Sequence, residues 1–226
     1  MKPLSTITDA LRREDLVVTA PASTCEISGI TDDTRTLKPG MVYVAVRGTQ
    51  ADGHRFVGDA VAKGAAALIV EAPQGAGVPE IVVHDGRRAA SVAARAWFDR
   101  PADRLRLVAV TGTNGKTTTT AIARHLLNGR QQAGSIGTLG AFDGTDAEVP
   151  STAGSLTTPG PVDLQATLAA MVEREVKDVV MEVSSHSLVS VAWMTSPSLR
   201  RSTPTSRRII SIITARWRTI SRRSSG

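Results

Sequence analysis

A short turn rich in glycine and threonine could bind phosphate: Thr111-Gly112-Thr113-Asn114-Gly115-Lys116-Thr117-Thr118. Its glycines let the backbone fold tightly, so that N–H groups face an anion, and the dipole of a following helix favours phosphate. Lys116 would then reach the β- and γ-phosphates, and the Thr117 hydroxyl would bind Mg²⁺. The turn therefore predicts a mononucleotide site.

The turn departs from the general phosphate-binding loop at one position. That pattern has a glycine five residues before Gly115, where this chain has Val110, so its first glycine is Gly112. A chance turn rich in glycine and threonine is the alternative. A strand, the glycines, a Lys-Thr pair and a helix coincide here, however, and we interpret the turn as a shortened variant of the loop.

The elements that must position this turn alternate between strands and helices. Hydrophobic spacing predicts helices at 4–13, 54–63, 87–98, about 116–127 and 161–175, and strands at 42–46, 67–70, 80–83, 105–110 and 179–183. This order predicts an α/β fold with a parallel sheet flanked by helices. Pro101-Ala102-Asp103 separates two periodic blocks, which predicts a small α/β domain at 1–100 and a second domain at 103–189.

The net charge of +6 belongs to the C-terminal end of the chain. Eight arginines and no acidic residue lie between Ser187 and Gly226. The 27 basic residues of the chain therefore leave 19 for the preceding part, against all 21 acidic residues. The body is mildly acidic, which argues against a basic, nucleic-acid-binding body.

Other bulk properties favour a cytoplasmic protein. The single cysteine, Cys25, excludes an internal disulfide framework and suits a small buried position. No stretch approaches the roughly 20 apolar residues that span a bilayer. The start of the chain lacks the apolar run of a signal peptide. We therefore expect no membrane partner.

Several separate motifs resemble those of the Mur ligases. The phosphate loop is similar to the ATP loop of that family and of the related folylpolyglutamate synthetases. Other segments distinguish between these two groups of ligases. They are Ile30 to Arg35, Gly40 to Gly48, Ala51 to Phe56, Leu156 to Pro159, and Met181 to His186. They resemble ligases of the MurE type, and the likeness covers roughly residues 25–189.

The resemblance implies a reaction and its participants. Such enzymes use ATP and Mg²⁺ to phosphorylate the terminal carboxylate of UDP-N-acetylmuramoyl-L-Ala-D-Glu, and the amine of a diamino acid then attacks the acyl phosphate. The enzyme must position the reactants and neutralise phosphate charge. Diaminopimelate, lysine and ornithine all stay open as the incoming amino acid, and we expect a monomer in the cytoplasm.

The resemblance also implies roles for individual residues. The ATP-binding residues would be Gly112, Thr113, Asn114, Gly115, Lys116, Thr117 and Thr118, with Lys116 catalytic. Glu182 would be a catalytic ligand of Mg²⁺ together with Thr117, since a hard cation prefers oxygen. The substrate would contact Asp32, Thr34, Thr49, Gln50, Ala51, Thr157, Thr158 and Ser184. His186 is ambiguous between packing and function.

The likeness ends near Ser190. The family continues with an arginine-containing substrate contact, an Asn-x-x-Arg-Asp-His segment and a carbamoylated lysine, and then a C-terminal domain that selects the amino acid. None of these occurs in residues 190–226, which we expect to be a disordered, non-homologous tail. We hypothesise that the tail is out-of-frame translation and that the chain by itself is inactive.

Three alternatives stay open on the sequence alone. The chain could bind nucleotides without turnover, or be another ligase of the superfamily, such as a folylpolyglutamate synthetase. The uridine-type motifs of the first 100 residues argue against the latter. The eight arginines of the tail could bind nucleic acid by counterion release. The tail has no DNA-binding motif, however, and one interleaved aromatic residue, Trp217.

Overall fold

The computed structural model describes residues 1–22, 25–48, 51–150 and 159–183, and the backbone of 210–214. The helices are α1 (Ser5–Arg13), α2 (Val57–Ala62), α3 (Gly86–Trp97), α4 (Lys116–Asn128) and α5 (Pro161–Glu173), with 3-10 turns at Gly53–Phe56 and Pro101–Arg104. None of the helices in these ranges combines the length and apolarity needed to cross a membrane.

The first sheet has five strands in the order β2-β7-β6-β5-β4. The first seven strands of the chain are β1 (Lys2–Pro3), β2 (Val17–Thr19), β3 (Glu26–Ile27), β4 (Gly29–Thr31), β5 (Met41–Val44), β6 (Ala67–Val70) and β7 (Glu80–Val83). Strands β4 to β7 pair in parallel, and β2 is an antiparallel edge strand. Strands β1 and β3 form a separate antiparallel pair.

Both faces of the first sheet are covered, as expected for a parallel sheet. Alternate side chains of β5, such as Val42 and Val44, join α1 and α3 in one core. The intervening Tyr43 lies in a second core on the other face, together with Val57 and Ala60 of α2. Successive side chains of a strand point to opposite faces, so each central strand contributes to both cores.

The second sheet has the order β10-β9-β11-β8-β12. Its strands are β8 (Arg106–Gly112), β9 (Ala133–Gly137), β10 (Gly140–Phe142), β11 (Asp178–Glu182) and β12 (Ile210–Thr214). All neighbours pair in parallel except the β9–β10 hairpin. Strand β11 lies between β8 and β9, so the carboxyl ends of three parallel strands meet at one edge.

A bidentate ion pair fixes the register of β8 and β11. Arg106 and Asp178 are opposite each other. The arginine donates from Nε and from one terminal nitrogen to the two carboxylate oxygens, at 2.6 and 2.7 Å. The Asp178 carboxylate is almost fully buried and also accepts a bond from the Gln131 amide. A shift of one residue would leave this buried charge unpaired, which is costly.

The predicted elements agree closely with the structure in the apolar segments. Strands β6 and β7 have the predicted bounds, and the predicted helices at 4–13, 87–98 and 116–127 match α1, α3 and α4 to within one residue at each end. The segment predicted as a helix at 54–63 divides into a 3-10 turn and α2. The predicted boundary at 101–103 falls in a 3-10 turn between the two sheets, and the division into domains stays a prediction.

The tail contributes one strand to the second sheet. Strand β12 pairs in parallel with β8, from Ile210 opposite Val108 to Thr214 opposite Gly112. We expected disorder in the tail, and these five residues differ from that expectation. The sequence Ile-Ser-Ile-Ile-Thr is rich in β-branched residues, which favour strands. The rest of the tail lies outside the described residues.

Helix α5 buries the side-chain amide of Gln165. The helix packs against α3 and against the 3-10 turn Pro101–Arg104. Gln165 is fully buried, and neither its Oε1 nor its Nε2 has a partner within the part of the chain that the structure describes. Each buried polar group left unpaired costs about 1–3 kcal/mol.

We therefore expect Gln165→Met to stabilise the chain by about 1–2 kcal/mol, since methionine has a similar length and no unpaired amide. Urea denaturation of the two proteins measures the change in the free energy of unfolding. Gln131→Met is the matched control, because the Gln131 amide is used in the bond to Asp178, and this variant should lose stability. Equal or lower stability of Gln165→Met would contradict the prediction.

Candidate functional site

The predicted phosphate loop connects the end of β8 to the start of α4. Gly115 is the residue before α4 and has φ +78°, a conformation that side chains other than glycine rarely adopt. The first N–H groups of α4 have no partner inside the helix and are available to an anion. The Lys116 Nζ donates to the carbonyl oxygen of Gly112 at 3.0 Å, so the ammonium lies against the loop. The geometry suits phosphate.

The carboxylate of Glu182 lies at the carboxyl end of β11, beside this loop. Glu182 is opposite Val110 of β8 and only 2% exposed. The Thr138 hydroxyl donates to Oε2 at 3.1 Å, and the Thr138 backbone N–H donates to Oε1 at 3.3 Å. Thr138 follows β9 directly, so the neighbouring strand orients the carboxylate.

The Glu182 side chain can occupy this position because residue 137 is a glycine and has no β-carbon. A β-carbon on Gly137 would lie 2.7 Å from Cδ of Glu182 and 2.8 Å from Cγ. Real β-carbons do not approach other atoms so closely. Glycine is therefore required here as long as the carboxylate occupies its present place.

We expect Gly137→Ala to displace the Glu182 carboxylate and to destabilise the chain by about 1–3 kcal/mol. The Mg²⁺ dependence of ADP binding, measured by calorimetry with and without the metal, should shrink at the same time. Gly58→Ala is the control, since nothing lies within 4 Å of a β-carbon there. An unchanged dependence on Mg²⁺ in Gly137→Ala would contradict this role of the glycine.

A cavity of about 290 Å³ opens between α4 and the β9–β10 hairpin. Thr117, Gly137 and Glu182 line it together with residues further along α4, including Arg124 and His125. The two predicted Mg²⁺ ligands therefore line the same cavity. The described residues contain no group of three or more His, Cys, Asp or Glu side chains that could hold a metal alone. One hydroxyl and one carboxylate suit Mg²⁺ bound mainly by phosphates and water.

A second, larger cavity of about 510 Å³ adjoins the first sheet. Three residues predicted to contact the uridine nucleotide line it: Asp32, Thr34 and Ala51. The structure adds others that sequence reasoning missed, which are Asp33, Arg35, Tyr43, Val46, Gly48, Gly53, Phe56, Arg87, Gly160 and Pro161. The last two precede and begin α5, so both halves of the chain form this cavity.

The acidic side of this second cavity is electrostatically unusual. Burial, followed by the charges of Asp33 and Asp163, raises the pKa of Asp32 to about 6, and a backbone hydrogen bond opposes the shift only in part. Hydrogen bonds from Arg35 lower the pKa of the neighbouring Asp33. Two adjacent carboxyls therefore differ in protonation near pH 6, and Asp32 is the one that can be a donor there.

The start of α5 and the phosphate loop lie at the same edge of the second sheet. Helix α5 leads into β11, which is parallel to β8, so the helix runs against the strand direction. Its first residue, Pro161, therefore lies near the carboxyl ends of β8 and β11. Ligands of open α/β sheets bind at this edge.

Some predicted residues cannot be placed. Thr49, Gln50, Thr157, Thr158, Ser184 and His186 lie outside the described residues. Cys25 is half-buried and packs against the first core. The sequence analysis did not identify Gly137 and Thr138 as residues that position Glu182. A small residue before a threonine is common in loops, so the pair has no distinctive pattern.

The fold is that of the Mur ligases, and the chain belongs to the Mur ligase family. Residues 26–98 match "Mur ligase family, catalytic domain", and residues 110–198 match "Mur ligase middle domain". The second match extends past Ser190, where the likeness was expected to end. Members of this family use ATP to drive the formation of amide bonds.

Within the family, the chain is similar to UDP-N-acetylmuramoyl-L-alanyl-D-glutamate–2,6-diaminopimelate ligases. It is 42% identical over 164 residues to that of Geobacillus thermodenitrificans and 39% identical over 163 residues to that of Aquifex aeolicus. These matches cover 72% of this chain and 33% of each relative. The chain thus spans about a third of the length of the curated relatives it matches.

Solved structures show the same fold. A UDP-N-acetylmuramoyl-L-alanyl-D-glutamate–2,6-diaminopimelate ligase superimposes with a TM-score of 0.57 at 30% identity, over 72% of this chain and 33% of the other. MurF from Acinetobacter baumannii superimposes with a TM-score of 0.54 at 24% identity, over 82% and 36%. The second likeness concerns the fold alone.

Proposed function

We propose that these residues form the ATP site and the uridine-nucleotide site of a ligase that extends UDP-N-acetylmuramoyl-L-Ala-D-Glu by one diamino acid. The observation that carries the proposal is the pair of cavities, one beside the second sheet and one adjoining the first sheet. One of them is lined by Thr117 and Glu182 beside the phosphate loop, and the other by Asp32, Thr34 and Ala51. We place this reaction in the cytoplasm, where ATP and UDP-linked precursors occur together.

The proposed reaction balances as two transfers. A carboxylate oxygen of the D-Glu residue attacks the γ-phosphorus of ATP, and the bond to the β-phosphate oxygen breaks, which releases ADP. The amine of the diamino acid then attacks the acyl carbon, phosphate leaves, and an amide bond forms. The amine gives up a proton as the amide forms.

The residues of this chain would bind and orient these groups. Lys116 and the N–H groups at the start of α4 would neutralise the β- and γ-phosphates. Thr117 and Glu182 would hold Mg²⁺, which supplies charge stabilisation to the transferred phosphoryl group. Thr157, Thr158 and Ser184 would hydrogen-bond the muramoyl peptide. Thr49 and Gln50 would contact the uridine nucleotide.

The amino acid that we propose is 2,6-diaminopimelate, because the relatives that match at about 40% identity are named for it. Lysine and ornithine are the comparison substrates. The residues that select among them would belong to the part of the relatives that this chain does not match.

Calorimetry with the 226-residue chain tests the proposal. We expect separate, non-competing binding of MgATP and of UDP-N-acetylmuramoyl-L-Ala-D-Glu. ADP release on adding each of the three amino acids then tests whether this chain turns over by itself. Binding of ATP without any affinity for the uridine nucleotide would overturn the assignment of the second site.

A further inference from the structure

A histidine that belongs to neither predicted site forms hydrogen bonds to two segments beside the proposed uridine cavity. The side chain of His54 is only 11% exposed. Its Nδ1 lies 2.6 Å from Oδ1 of Asp52, and its Nε2 lies 2.9 Å from the backbone nitrogen of Glu71. The ring therefore joins the segment that follows β5 to the end of β6.

These two contacts fix the tautomer of the ring. A backbone N–H can only donate, so the Nε2 atom that receives it carries no proton. The ring proton is then on Nδ1 and is donated to the Asp52 carboxylate. His54 must be neutral and in the Nδ1–H form to make both bonds.

The contacts continue from Glu71 to the start of α3. Oε1 of Glu71 accepts a bond from the Gly86 N–H at 2.8 Å, and Oε2 pairs with Nε of Arg47 at 3.0 Å. Arg47 and Asp52 also form an isolated antiparallel bridge that closes the loop between them. The loop is thus attached at its base to β6 and to α3.

The residues held in this way line the uridine cavity. Gly48 follows Arg47 and Gly53 follows Asp52, and both contribute to the cavity wall. The Gly53 carbonyl accepts a bond from the Tyr43 hydroxyl at 3.0 Å, and Tyr43 is itself a lining residue. Arg87, the residue after Gly86, lines the cavity as well.

We infer that His54 is a positioning residue for the uridine nucleotide, because its neutral ring ties Asp52, which pairs with Arg47, to the end of β6 and through Glu71 to the start of α3. The inference rests on the proposed function of this cavity. His54 does not line the cavity, so it would act only through the lining residues Gly48 and Gly53, which are next to Arg47 and Asp52.

Two substitutions separate the two bonds of the ring. In His54→Asn the amide nitrogen can replace Nδ1 and donate to Asp52, but no atom reaches the Glu71 N–H. In His54→Gln the amide oxygen can replace Nε2 and accept from Glu71. The exposed His84, changed to Asn, is the matched control, since its side chain contacts neither cavity.

Calorimetric titration of the 226-residue chain with UDP, and separately with MgATP, tests the inference. We expect His54→Asn to weaken UDP binding about tenfold and His54→Gln to recover most of it, with MgATP binding unchanged in both. The ¹⁵N shifts of the His54 ring should show a protonated Nδ1 and an unprotonated Nε2.

The failures can be told apart. If the unmodified chain binds MgATP but not UDP, the proposed uridine site is wrong and the inference falls with it. If the unmodified chain binds UDP and His54→Asn binds it equally well, the inference alone is overturned. A ring protonated at Nε2 also overturns it. Loss of both UDP and MgATP binding in His54→Asn would show a general folding role instead.

Discussion

Lys116→Ala is expected to weaken MgATP binding by about a hundredfold while the chain stays folded. The ammonium group makes charge-assisted hydrogen bonds to phosphate when nucleotide is bound, and alanine replaces none of them. In the nucleotide-free chain the side chain donates one hydrogen bond, to the Gly112 carbonyl, so its loss should cost only about 1 kcal/mol of stability. Calorimetric titration and a thermal melt measure the two effects.

Lys63→Ala is the control for Lys116. Its ammonium donates to the Thr34 carbonyl at 2.7 Å, near the uridine cavity and away from the phosphate loop. MgATP binding should therefore survive this substitution. MgATP affinity that is equal in Lys116→Ala and the unmodified chain would refute the assignment of the phosphate loop.

Asp32→Asn should stabilise the chain at pH 7.5 by about 2–3 kcal/mol and weaken binding of the uridine nucleotide. Burial raises the pKa of Asp32 to about 6 from an ordinary value of 3.8. Between these two values the folded chain holds a proton that the unfolded chain has released. Stability therefore falls as the pH rises through this window, and the full deficit is present above pH 6.

Urea denaturation at pH 5 and pH 7.5 measures this effect, and Asp33→Asn is the matched control. Hydrogen bonds from Arg35 lower the pKa of Asp33, so its charge is favoured by folding and its removal should not stabilise the chain. A gain from Asp33→Asn as large as that from Asp32→Asn would show that local acidic repulsion, and not the burial of Asp32, is responsible.

The sequence was most informative where apolar runs or glycines limit the backbone. The strand before the phosphate loop, the loop and α4 follow from a buried run, two glycines and a Lys-Thr pair in direct succession. The grouping of Asp32, Thr34 and Ala51 could be anticipated from resemblance to a family, and the shared cavity is consistent with it. Composition alone would have assigned these residues to loops.

The β9–β10 hairpin was not predicted, because its strands are short and contain Gly134, Gly137 and Gly140, which are unfavourable in strands. The position of Glu182 depends on Thr138, 44 residues earlier, and that of His54 on Glu71, 17 residues later. Such contacts have no local pattern. They can be predicted only when the order of the strands in the sheet is known.

Strand β12 has a practical consequence for shorter versions of the chain. It occupies the outer side of β8, so the N–H and C=O groups of β8 on that side are paired. A version that ends before residue 210 would turn β8 into an edge strand, and exposed edges of apolar strands recruit other chains. Trimming the arginine-rich end to lower the isoelectric point would then favour aggregation during expression, unless another strand covers that edge.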